Sequence, residues 1–93
     1  MAYYVYIIQS FADNTFYKGY TEQPLKRLTQ HNAGEMNYTS KKTPWKLVGL
    51  LIFASKKEAL IAEKKLKKYD HKRLLAFINS DRNKLEEYFG SVG

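Results

Sequence analysis

Cysteine is absent from the chain, which excludes a disulfide framework and any thiolate metal site. Long apolar runs are missing too. The longest, Leu47 to Ala54, falls short of the roughly 18 residues a membrane span requires and suits a buried strand instead. The opening residues Met1-Ala2-Tyr3-Tyr4 lack the basic stretch of a secretory signal. With neither signal nor cysteine, a cytoplasmic location is the expectation. No nucleotide-binding glycine loop, nucleophilic serine motif or paired-carboxylate pattern is found. Two isolated histidines, His31 and His71, make no zinc site. At 93 residues the chain suits one domain around one compact core.

Acidic residues are also scarce, nine against sixteen Lys and Arg, for a formal net charge of +7. The excess is local. Residues 1–40 hold three basic and three acidic side chains, residues 41–73 eleven and three, and residues 74–93 two and three. Such a patch attracts polyanions and makes their binding salt-dependent. A solvated lysine-rich helix face would look the same from charge alone.

What is abundant is tyrosine, and its placement organises the chain. Residues 3–9 are β-branched and aromatic and predict a strand. Asp13-Asn14 signals a turn, and residues 16–20 predict a second strand, giving an antiparallel hairpin. Alternation puts Tyr4 and Tyr6 on one face and Tyr3, Val5 and Ile7 on the other. Gly19 permits a close approach of backbone or ligand. Pro24 suits the first turn of a helix ending near Ala33, before Gly34. Residues 35–44 predict a loop and residues 45–54 a third strand. Ser55-Lys56-Lys57-Glu58 is a capping-box pattern for a helix reaching about Tyr69, with Ala59, Leu60, Ala62 and Leu66 as its buried stripe. Asp70 is expected to cap a helix through Ile78. Ser80 or Asp81 is expected to cap a last one through about Phe89, with a frayed tail from Gly90. The expected fold class is α+β, a small three-stranded antiparallel sheet flanked by helices. It forms a single domain over 1–93, with a core at 3–69 and a helical extension at 70–89.

Some of these residues could carry chemistry. Glu63 falls inside the apolar stripe of its helix, where a carboxylate is costly unless paired or bound to a cation. It either reaches solvent or a lysine at the edge of the core, or it holds a hard ion such as Mg²⁺ or Mn²⁺. Arg27 and His31 are four apart on a helix and so share a face. Arginine grips phosphate by paired hydrogen bonds, and histidine can bind phosphate or move a proton. Alternatively both are plain surface side chains. A tyrosine is a poor base at its ordinary pKa, about 10, unless nearby cations depress it, and a basic cleft with Arg27, Lys18 and a metal could do so.

Tyr4-Val5-Tyr6, then Tyr17-Lys18-Gly19, then Arg27 ten residues after Tyr17, then His31, then the helix Glu58-Ala59-Leu60-Ile61-Ala62-Glu63, stand in one register. In this order and spacing the chain resembles the GIY-YIG nuclease family over roughly residues 3–69. Val5 and Tyr4 replace the isoleucine and glycine of the first motif, and Tyr20 stands where some members carry a lysine. Gln30-His31-Asn32-Ala33-Gly34 and Pro44-Trp45-Lys46-Leu47-Val48 look closest to the branch holding junction and flap endonucleases and small stand-alone bacterial proteins. The resemblance implies a metal-dependent endonuclease acting on DNA, in repair or recombination. Its catalytic residues would be Tyr6, Tyr17, Arg27, His31 and Glu63, with one Mg²⁺ or Mn²⁺ on Glu63. Lys18, Lys41, Lys42, Lys46, Lys64 and Lys68 would attract the backbone. Tyr6 is preferred as general base, although Tyr17 could exchange roles with it. RNA in place of DNA and a protein partner stay open. Two rival readings remain: a non-catalytic nucleic-acid-binding module of the same fold, and an interaction domain docking through Trp45 and the tyrosines.

Overall fold

A computed structural model describes residues 1–92 of the chain. Three strands, β1 (Tyr3–Ser10), β2 (Phe16–Thr21) and β3 (Trp45–Phe53), form one antiparallel sheet in the order β2-β1-β3. The most apolar strand is thus central. Val5 and Ile7 are buried on one face and Tyr6 and Ile8 on the other, the alternation expected of it. Asn14 closes the β1–β2 turn at φ 63°, while the Asp13 carboxylate accepts from the Thr15 N–H at 3.0 Å.

Helix α1 (Pro24–Asn32) starts on its proline and ends before Gly34, which adopts φ 77° as a helix-terminating glycine does. Leu28 packs with Tyr6, Ile8, Trp45 and Leu50 on one face of the sheet, whereas Leu25 stays exposed. The short turn Ser40–Lys42 follows and leads into β3. Helix α2 (Lys56–Leu66) begins on Ser55, whose Oγ accepts the Glu58 N–H at 3.2 Å. It stops three residues earlier than expected, its last N–H groups closing turns through Lys68 and Tyr69. Ala59 and Leu66 are buried against the second face with Ala62 beside them. Leu60 is not: it is exposed next to Ile61, because the seam follows Ala59, Ala62 and Leu66 and rotates Leu60 outward.

Helix α3 (His71–Ile78) is capped by Asp70, whose carboxylate accepts the Arg73 N–H at 2.8 Å. Its Leu74 and Phe77 enter the same core as Val5 and Ile7. Helix α4 (Leu85–Val92) begins later than expected. Ser80 only closes the turn after α3, its Oγ donating to the Phe77 carbonyl, and it is Asn83 that accepts the Leu85 N–H, at 3.2 Å. The tail expected to fray at Gly90 is helical to Val92, and Gly93 lies outside the described residues. Leu85 and Tyr88 pack on the Tyr6 face, so α1 and α4 cover one side of the sheet and α2 and α3 the other. No helix among the described residues is long and apolar enough to cross a membrane.

Candidate active site

The site forms at the free edge of β2, where groups from both faces meet. Tyr6 comes from the central strand and lies across Gly19, its register partner on β2. A Cβ at position 19 would stand 2.5 Å from the Tyr6 hydroxyl, so the close approach expected of this glycine is made by the phenol. The hydroxyl lies 2.9 Å from His31 Nε2. His31 Nδ1 lies 2.7 Å from Thr39 Oγ1. The carbonyl of Thr39 is pinned by the Trp45 indole N–H at 3.0 Å, and Asn32 locks α1 to Trp45 through bonds of 2.6 Å and 3.0 Å to its backbone.

His31 is therefore no surface histidine. It is fully buried, with both ring nitrogens engaged. This corrects the expectation of a direct phosphate contact, since no nitrogen is left to make one. Burial, and secondly the charge of Arg27, hold its pKa below the ordinary 6.5, so the ring is neutral near pH 7. Tyr6 is likewise not activated by its surroundings. Burial raises its phenol well above the ordinary value, Tyr17 and Glu63 add to this, and Arg27 opposes it. The cations expected to depress a tyrosine do not prevail.

Tyr17 packs against Tyr6 and His31, with ring centroids 6.4 Å and 5.2 Å away. Tyr38 stacks outside it at 5.6 Å and is 69% exposed, forming an aromatic rim that sequence reasoning missed. Thr39 was missed as well, because a threonine in a polar loop carries no signal until the loop folds over the histidine. Arg27 is half-buried and borders a cleft of about 240 Å³ with Tyr20, Thr21 and Gln30. Glu63 approaches from α2 on the other face. Its side chain is 19% exposed, and its carboxylate lies 3.6 Å from Lys67 Nζ. Arg27 and Glu63 both act electrostatically on Tyr6, so the two helices bring opposite charges to one phenol.

The lysines differ in their surroundings. Lys18 points away from Tyr17, into a groove with Phe16, Tyr69 and His71. Strand alternation dictates this, and it corrects the notion of Lys18 lining the tyrosine cleft. Lys42 is tied to Asp13 at 3.3 Å. Lys46 sits 5.1 Å from the Phe11 ring centroid. Lys41, Lys64 and Lys68 are exposed, the first beside Thr39 and the other two on or just after α2. Trp45 is 2% exposed, which removes it from any docking surface. Among the described residues no three His, Asp or Glu cluster for a metal. Glu63 thus reaches a lysine, one of the two outcomes expected of it, and as a single, largely buried carboxylate it also suits a Mg²⁺-type ion completed by water and phosphate.

Comparison with known proteins gives this fold its class, a nuclease-type domain. The chain belongs to the GIY-YIG family: its residues 2–75 match the GIY-YIG catalytic domain. It is similar to a UPF0213 protein of Streptococcus pneumoniae serotype 4, at 38% identity over 97% of this chain and 93% of that protein. The UPF0213 protein YazA of Bacillus subtilis is 33% identical over 94% of this chain and 88% of its own. The solution NMR structure of a UPF0213 protein from Bacillus halodurans superposes with a TM-score of 0.57 at 30% identity, covering 88% of this chain and 87% of that one. Family membership makes nucleic acid the implied substrate, and GIY-YIG nucleases generally use divalent metals.

Proposed function

We propose that the protein is a divalent-metal-dependent endonuclease that hydrolyses DNA phosphodiester bonds. We assign it structure selectivity, low sequence specificity and a role in DNA repair or recombination. The observation that carries the reading is the convergence of Tyr6, Arg27 and Glu63 at the β2 edge, with Tyr6 hydrogen-bonded to a buried neutral histidine. Glu63 would hold one Mg²⁺ or Mn²⁺, which when bound supplies Lewis-acid stabilisation of the phosphate and of the departing oxygen. Arg27 donates to the non-bridging phosphate oxygens as their charge grows. Tyr17 orients the attacking water.

Tyr6 receives the proton from that water while its own proton passes to His31 Nε2. The bond to His31 favours Tyr6 over Tyr17 for this role. Coupling the two transfers avoids a free phenolate, which burial disfavours. The imidazolium so formed is raised in energy by the adjacent Arg27 charge and hands its proton back through the Tyr6 hydroxyl, which passes one on to the cleft.

The test is cleavage of a panel of labelled DNA substrates (flap, junction, nick and single strand) with Mg²⁺, Mn²⁺ or EDTA. The expected outcome is metal-dependent cutting by the wild type and none by Glu63→Ala, which stays folded and binds DNA. Full activity of that variant overturns the metal assignment. No cutting by either protein, with salt-sensitive binding kept, favours the binding module.

A further inference from the structure

The proton path at Tyr6 depends on which ring nitrogen of His31 carries hydrogen, and a residue outside the assigned set decides it. We infer that Thr39 is a positioning residue that holds His31 as its Nδ1–H tautomer, leaving Nε2 free to accept the Tyr6 proton. The role in catalysis rests on the nuclease reading; the tautomer does not.

His31 and Thr39 are both at 0% exposure, so no solvent substitutes for a missing partner. Each imidazole nitrogen has one protein partner, the Tyr6 hydroxyl at 2.9 Å and Thr39 Oγ1 at 2.7 Å. A neutral ring donates through one nitrogen and accepts through the other. The Thr39 hydroxyl has one proton to give, and it reaches a second acceptor, the Met36 carbonyl at 3.4 Å. The Tyr6 hydroxyl, on a residue 3% exposed, has no other acceptor among the described residues, so its proton goes to Nε2, and Thr39 completes the set by accepting Nδ1–H and turning its own proton to Met36. The chain of donors then runs from Tyr6 O–H to Nε2, from Nδ1–H to Thr39, and from Thr39 to Met36.

With the opposite tautomer, Nε2–H would donate to Tyr6 and block the transfer. The phenol could then lose its proton only to the cleft, as an anion that burial disfavours. Thr39 is itself held in place through its backbone: its N–H donates to the Met36 carbonyl at 3.1 Å, and its carbonyl accepts from Trp45. Replacing its side chain leaves those two bonds intact.

The test uses ¹⁵N-labelled full-length protein and long-range ¹H–¹⁵N correlation of the histidine rings near pH 7. The wild-type His31 is expected to show a protonated Nδ1 and an unprotonated Nε2. Thr39→Val keeps the shape but removes the acceptor. It is expected to shift the ring toward the Nε2–H form and to lower kcat by about 10²-fold, with KM little changed. Thr39→Ser is expected to restore both. A wild-type ring protonated at Nε2 overturns the inference. So does a folded Thr39→Val protein with unchanged tautomer and kcat. A wild type that cuts no DNA but shows Nδ1–H supports the tautomer and counts against the nuclease reading alone.

Discussion

Tyr6 and His31 owe their states to burial more than to neighbouring charge, and that has a consequence in pH. The folded His31 resists protonation relative to its ordinary pKa of 6.5. Below that value the unfolded chain takes up a proton that the folded chain refuses. The contribution to stability is therefore present above pH 6.5 and is lost as pH falls toward the lower folded pKa. Urea melts between pH 7.5 and pH 5 should show stability declining with acidity, and His31→Gln should flatten that slope. An unchanged slope would mean that other groups dominate. The residue scale is also where sequence reading reached least far. Arg27 and His31 are four apart on one helix, yet one ends half-exposed and the other sealed inside. The difference comes from Thr39, which bonds the imidazole, and from Trp45, which holds the Thr39 carbonyl.

At the scale of elements, patterns governed by local chemistry were legible and those governed by tertiary contact were not. Alternation in β1, Pro24 and Gly34 around α1, and the Ser55 and Asp70 caps all follow from their own neighbours. Helix α4 does not. Its start is decided by Asn83, whose amide spans three elements. Asn83 Oδ1 accepts from Leu50 N–H at 3.1 Å and from Leu85 N–H at 3.2 Å. Its Nδ2 donates to the Val48 and Ile78 carbonyls at 3.0 Å and 2.9 Å. The amide thus ties the outer edge of β3 to the ends of α3 and α4, which no local pattern announces. Asn83→Ala leaves several partly buried backbone groups unpaired and is expected to cost about 2–3 kcal/mol. Thermal melting by circular dichroism should show Tm lower by roughly 10 °C or more. A shift of only a degree or two would mean that water replaces the amide freely.

On the scale of the whole molecule, the chain carries a formal net charge of +7. The cations differ in how free they are. Lys42 is neutralised by Asp13, whereas Lys41 and Lys46 have no carboxylate partner within ion-pair distance among the described residues. Lys41→Gln with Lys46→Gln should weaken DNA binding similarly for all sequences and reduce the salt slope by about 2, and Lys42→Gln should do much less. Fluorescence anisotropy across a salt series checks this, and equal effects for all three would show that the Asp13 pair opens on binding. The order of motifs made the family legible from the sequence, because the same residues shape the hairpin and the site. How they meet was hidden, since Arg27 comes from α1 and Glu63 from α2, on opposite faces of the sheet, and only the fold brings the charges of both to bear on one phenol. The most direct measurement is single-turnover cleavage of labelled DNA by wild type and Tyr6→Phe, with the bound fraction followed in parallel. Loss of about 10²–10⁴-fold in rate with binding retained is the expected result. A Tyr6→Phe protein that cuts at the wild-type rate would contradict the assignment of Tyr6 as the group that takes the proton from water.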